Sequence, residues 1–264
     1  MHLPRVQLFE WNDRAETPVA LRETVVESLS RTLRWGGVLR DLVGPFRSFL
    51  EEAGAQEVLD LCSGAGGPAV VLAREMQRAG AAPPRFVLTD LFPRVDHWEK
   101  ARAEHPGILD FEPAPVDATA IPAALGEGRA RVIINAFHHF PPDLARSLLA
   151  DAVQAGAGFF LAESFDRNPL RFCSMWPAGL PALLLNPILS HDRRLQKAAL
   201  TWMTPVVLAA SAWDGFVSTL RVYTEAELRA MAEPLGGGYR WRYGVYRFAP
   251  LGRGYYFYGV KARA

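Results

Sequence analysis

The stretch Val58-Leu59-Asp60-Leu61-Cys62-Ser63-Gly64-Ala65-Gly66-Gly67 decides how the chain folds. A short apolar run meets glycines, and the following AVVLAREMQRAG (69–80) opens a helix with Val70, Val71, Leu72 and Ala73 that stops near Gly80. The order is strand, turn, helix. Glycine suits such a turn because the missing Cβ lets backbone approach a ligand closely.

The alternation continues outward. RFVLTD (85–90) reads as a strand, DHWEKARAEH (96–105) as a helix and ARVIINAFHHF (130–140) as a buried strand with its loop. PPDLARSLLADAVQA (141–155) is a helix entered through prolines, and GFFLAES (158–164) is another strand. Repeated β and α units predict an α/β, doubly wound, mostly parallel sheet with helices on both faces. Upstream, Thr17 to Ala53 is helical in two runs parted by Gly36 and Gly37. Downstream, Thr224 and Glu227 form a capping box for TEAELRAMAE (224–233), and two aromatic runs close the chain as an antiparallel hairpin around APLGRG (249–254). The expected division is an N-terminal helical cap (1–54), a Rossmann-like core (55–165), a helical apolar insertion or lid (166–220), and a helix and hairpin completing the core (221–264).

Totals narrow the function. The chain has 264 residues, 50% hydrophobic and 22% charged, with a formal net charge of +1. One core suffices for that length, and no basic footprint for nucleic acid is visible. The opening MHLPRVQLFEWNDRAE does not read as a secretory signal, so a cytoplasmic location is expected. Cys62 and Cys173 are too few for a disulfide framework and lack zinc-site spacing.

VLDLCSGAGG resembles the first motif of the class I S-adenosylmethionine-dependent methyltransferases, TDLF their second-strand end, VDATAIP (116–122) their third-strand motif and IINAFHHF (133–140) their fourth. The resemblance covers Glu57 to Glu163 and implies a seven-stranded Rossmann-like sheet, an enzyme, and S-adenosyl-L-methionine as cofactor. It implies that Asp60 anchors the glycine loop or the methionine amino group. Cys62, Gly64, Ala65 and Gly66 would line the methionine and ribose, and Asp90 would hold the ribose hydroxyls. Leu91 and Phe92 would pack on adenine beside Asp117 and Ala118, while Asn135 opens the loop facing the methyl group. Cys62 departs from the pattern, standing where the family often has its first glycine. A nicotinamide dehydrogenase fits worse, because Pro68 interrupts G-x-G-x-x-G and Ala69 replaces its third glycine.

Methyl transfer to a hydroxyl or an acidic carbon is helped by a base, and histidine matches neutral pH. His138 and His139, just past the fourth strand, are the candidates; one of them can instead pack or cap the next helix, a role His139 suits better. Glu163 ends the fifth strand and can line the acceptor pocket. Asp166 and Asn168 do not make a metal-ligand set, so no metal is expected. Asn135 is followed by Ala136 and Phe137, unlike the Asn-Pro-Pro-aromatic motif of amino-group methyltransferases acting on nucleic acids and proteins.

Trp11, Arg22, Trp176 and Trp213 are expected to contact the acceptor, a small apolar or aromatic molecule methylated on oxygen or carbon. Two alternatives stay open: a methyltransferase working on lipid at a membrane surface, with peripheral contact through the insertion, and a non-catalytic S-adenosylmethionine-binding module.

Overall fold

The computed structural model of the chain describes residues 4–14, 16–236 and 238–262. Helices α1 (Val19–Trp35) and α2 (Val43–Ala53) precede an alternating series: β1 (Glu57–Asp60), α3 (Gly67–Arg78), β2 (Arg85–Leu88), α4 (Val95–Glu104), β3 (Leu109–Phe111), the single turn α5 (Ala123–Gly126), β4 (Ala130–Ile134), α6 (Pro142–Gln154) and β5 (Phe159–Glu163). The insertion folds as α7 (Pro169–Phe172), α8 (Trp176–Leu184), α9 (Asn186–Leu189), α10 (Arg194–Trp202) and α11 (Val206–Arg221). Then come α12 (Glu225–Ala232), β6 (Tyr239–Phe248) and β7 (Gly252–Lys261). The Thr224–Glu227 capping box starts α12 as the sequence predicts. Among the described residues no helix is long and apolar enough to cross a membrane.

The sheet runs in the order β3-β2-β1-β4-β5-β7-β6. β3, β2, β1, β4 and β5 pair in parallel, and β7 lies antiparallel to both β5 and β6. This is the doubly wound, mostly parallel sheet with a C-terminal hairpin that the alternation predicts. Every residue of β4 and β5 is buried, as expected for parallel strands covered on both faces. α2 belongs to that cover: Phe46 and Phe49 reach Phe160 of β5 at ring distances of 5.0 and 5.2 Å. Burying each such ring contributes about 2–3 kcal/mol.

The strand order reverses between β1 and β4, so their following loops part company at the carboxyl edge and leave a crevice, the usual ligand position in such sheets. α1 and the insertion roof that crevice. Leu21 and Val25 of α1 form a second small core with Leu183, Val207 and Ala210. Beside it, the fully buried Lys197 places its ammonium 2.8 Å from Glu27 and 3.4 Å from Glu23, one turn apart on α1, and 3.2 Å from the Ser190 hydroxyl. Asn186 adds a hydrogen bond to Glu27 at 3.1 Å.

Removing one partner of a buried ion pair strands the other charge, so Lys197→Met should lower unfolding stability by about 3 kcal/mol. Equilibrium urea denaturation reads this directly; a loss of less than about 1 kcal/mol would show that Arg31 and Arg193 balance the two glutamates unaided.

Candidate active site

The turn after β1 is held from three sides. Ser63 donates its hydroxyl to the Asp60 carboxylate at 2.7 Å, and its N–H to the Thr89 carbonyl at 2.9 Å. Gly64 donates its N–H to Asp90 at 2.8 Å, and its carbonyl accepts from the indole of the fully buried Trp98 at 3.0 Å. Gly64 and Gly66 take φ of 54° and 79°, and a Cβ on Gly66 would stand 3.0 Å from Leu88. Around Gly64 the reverse holds: a Cβ there would meet nothing within 4 Å, leaving the turn open above it.

The sequence-predicted cofactor residues gather at this turn. Val116 donates its N–H to the Asp90 carbonyl at 2.9 Å, which brings Asp117 and the buried Ala118 alongside. Asp117 accepts from Thr119 at 2.8 Å. Leu91 and Phe92 follow Asp90 with side chains 51% and 78% exposed, apolar surface at the crevice without cover. Asp60 is buried, which pushes its carboxyl up to about 7 against the Ser63 hydrogen bond. The carboxylates suit a ligand carrying hydroxyls and positive charge, and the start of α3, which has no side-chain cap, offers N–H groups to a ligand acceptor.

Across the crevice lies an apolar cavity of about 510 Å³. Val25 and Leu29 of α1, Trp176 and Leu180 of α8, and Leu208 of α11 line it, while Asn135, His138 and Ser164 form its floor. Asn135 holds φ of 58°, a left-handed position that asparagine tolerates, and its side-chain oxygen accepts from the Ser164 N–H at 2.7 Å. That bond ties the loop after β4 to the end of β5 and turns the Asn135 amide nitrogen, buried and without a partner, toward the cavity.

His138 is fixed by Glu163 twice. One carboxylate oxygen accepts the His138 backbone N–H at 3.0 Å and the other meets Nδ1 at 2.9 Å. Both side chains are buried, and burial drives the imidazole well below and the carboxyl well above their ordinary ranges. When Nδ1 carries the imidazole proton and donates it to Glu163, the Nε2 lone pair faces the cavity, and Nε2 has no partner.

Sequence reasoning missed Glu10, Asn12 and Asp13, which reach the site from the N-terminal segment. Glu10 stands with a carboxylate oxygen 3.9 Å from His138 Nε2, and Asp13 with one 2.9 Å from His139 Nδ1. Burial pushes Glu10 up to about 7 against His139 and Arg221. Burial also works against Asp13, but hydrogen bonds from His139 and Arg221 hold it well below the usual carboxylate range. Glu10, His138 and His139 bring potential metal-ligand atoms within 4.8 Å of one another. The positive charge already there is the Arg221 guanidinium, 3.1 Å from Glu10, 2.7 Å from Asp13 and 3.2 Å from His139 Nδ1. His139 lies over the His138 ring at 4.2 Å and packs between the pair and Asp13.

Of the four residues expected to contact an acceptor, only Trp176 lines the cavity. Trp213 donates its indole N–H to the Phe9 carbonyl at 3.0 Å, and Trp11 packs edge-on to Phe9, its N–H bonded to Asp214. Both rings serve the joint between N-terminal segment and insertion. Arg22 donates to the Arg14 carbonyl and so turns back along that segment. The signal for Glu10 is its place in LFEWND, an acid among aromatics outside any helical period.

No protein-family model and no curated protein sequence matches the chain. Solved structures with a similar course include magnesium protoporphyrin IX methyltransferase from Synechocystis PCC 6803 with bound S-adenosylhomocysteine, at 15% identity and a TM-score of 0.47 over 91% of this chain and 99% of that one. Human N-acetylserotonin methyltransferase in complex with S-adenosylmethionine follows at 14% identity and 0.48, covering 92% of this chain and 56% of that one. The mitomycin 7-O-methyltransferase MmcR stands at 13% and 0.49, covering 94% and 62%.

Cys62 occupies φ of 59° without being glycine. A side chain there costs about 1–2 kcal/mol, most for β-branched residues. Cys62→Gly is therefore expected to stay within about 1 kcal/mol of the parent in thermal unfolding, and Cys62→Val to lose about 2 kcal/mol.

Proposed function

We propose that the chain is an S-adenosylmethionine-dependent methyltransferase acting on a small, largely apolar molecule, with a hydroxyl oxygen as the favoured acceptor. The observation carrying this reading is the pairing, at one carboxyl edge, of the Asp90-bound glycine turn with an apolar cavity into which His138 Nε2 projects unpartnered.

When bound, S-adenosylmethionine supplies a methyl group activated on a sulfonium centre. Asp90, Gly64, Ala65 and Gly66, with Asp60 behind Ser63, are the residues that would hold it; Cys62 lies beside them, and Leu91, Phe92, Asp117 and Ala118 suit the adenine. Asn135, lining the cavity at the end of β4, stands on the acceptor side. The apolar walls exclude water and orient the acceptor, which favours a displacement that depends on alignment. His138 Nε2 takes the acceptor proton, and Glu163 keeps the imidazole in the required tautomer and balances the charge that develops on it. His139 and Asp13 act through the stacked ring rather than on the substrate.

Asp90→Ala removes both ribose acceptors and the anchor of Gly64. Affinity for S-adenosylhomocysteine in a calorimetric titration should fall by about 10²-fold, and an unchanged Kd would contradict the assignment of this turn.

His138→Gln should lower kcat for methyl transfer by about 10²–10⁴-fold while leaving S-adenosylhomocysteine affinity unaltered. Burial disfavours the charged imidazole, so His138 remains neutral and competent as a base below the ordinary histidine value. The acid limb of kcat/KM is accordingly expected well below the ordinary histidine value of about 6.5. A limb at the ordinary value would assign the proton transfer elsewhere.

A further inference from the structure

Three residues lining the apolar cavity each hold a buried side-chain polar atom without a partner: Asn12 Oδ1, Asn135 Nδ2 and His138 Nε2. Burying such groups unpaired costs about 1–3 kcal/mol each, so a ligand that pairs His138 Nε2 and Asn135 Nδ2 recovers that cost at two of them. The Glu10 carboxylate belongs to the same face. Its Oε1 receives Ser218 and Arg221, each at 3.1 Å, while Oε2 lies 3.8 Å from His139 Nδ1, beyond hydrogen-bond reach, and retains acceptor capacity. Glu10 Oε1 stands 3.9 Å from His138 Nε2, so with the His138 proton on Nδ1 the open Oε2 and Nε2 are two acceptors on one face.

We propose that the acceptor is an uncharged, ring-based molecule with two hydroxyls on adjacent carbons, one donating to His138 Nε2 and the other to Glu10, and that Glu10 sets this specificity. This rests on the methyl-transfer reading above for its catalytic meaning. Adjacent ring hydroxyls lie edge to edge and reach both acceptors at once, and each oxygen keeps lone pairs for the Asn135 amide. A single hydroxyl satisfies only one. No lysine or arginine is among the residues lining the cavity, so a carboxylate or phosphate at this end would meet Glu10 with no cation of its own. Asp214 does not compete for the second hydroxyl, because its oxygens already accept the Trp11 and Asn12 N–H groups at 2.7 and 3.2 Å. An ammonium head gains little, since Arg221 already supplies the positive charge beside Glu10. Most of the remaining lining is apolar, Val25, Leu29, Trp176, Leu180 and Leu208 among it, the wall a flat ring system needs.

The test is calorimetric titration of 2,3-dihydroxynaphthalene, 2-naphthol and 3-hydroxy-2-naphthoate into the protein, alone and saturated with S-adenosylhomocysteine. The diol should bind about tenfold or more tighter than 2-naphthol, and the naphthoate weaker than both, as expected for one hydrogen bond to a charged group. Glu10→Gln should bring the diol and 2-naphthol close together and strengthen the naphthoate. If that variant does not fold, the wild-type ranking decides alone. Equal binding of diol and 2-naphthol, preference for the naphthoate, or a diol that does not bind overturns the proposal. Failure of S-adenosylhomocysteine to bind instead counts against the methyl-transfer reading, and the diol ranking in the protein alone is read separately.

Discussion

Glu163 sits at the end of the fifth strand with no exposure to solvent, and a carboxylate in that position has to be matched by donors on every side. It finds them in the His138 backbone and ring, and that double hold fixes the loop after β4. The neighbouring Asn135 meets Ser164 across the same strand pair, so both residues that enter the cavity are aimed by β5. The sheet is thus more than a support. Its parallel pairing sets where the strand ends fall, and the need to satisfy polar groups at those ends sets which way the functional side chains point.

The N-terminal segment enters this arrangement through charge. Arg221, at the end of α11, gathers Glu10, Asp13 and the Leu8 carbonyl, while Asp214 two turns earlier on the same helix accepts the backbone N–H groups of Trp11 and Asn12. Residues about 200 positions apart in the chain therefore close one wall of the cavity together. Desolvation makes such a cluster costly unless each charge is paired, and its members are.

Much of this was legible in the amino-acid sequence, because the signals were local. The glycine turn, Asp90, the alternation of strands and helices and the Thr224 capping box each depend on residues a few positions apart. Cys62 illustrates a partial reading: it marks a departure from the glycine pattern, yet the backbone keeps the left-handed turn regardless. Glu10 was not legible, since its meaning comes from Arg221 and His138, more than a hundred residues away. Trp11 and Trp213 were read by residue type alone. Aromatic rings bury wherever packing admits them, and here the Phe9 ring drew both away from the cavity.

The thiol of Cys62 lies among Asp60, Asp90 and Asp117, and burial together with those negative charges raises its pKa well above the free value. Since the thiolate is the form that oxidants and electrophiles attack, the cysteine within the glycine turn is chemically quiet. Cys173, the other cysteine, is exposed on the insertion. An oxidant accordingly meets the exposed sulfur of the insertion first, while the sulfur inside the glycine turn is shielded by burial and by its neighbouring carboxylates.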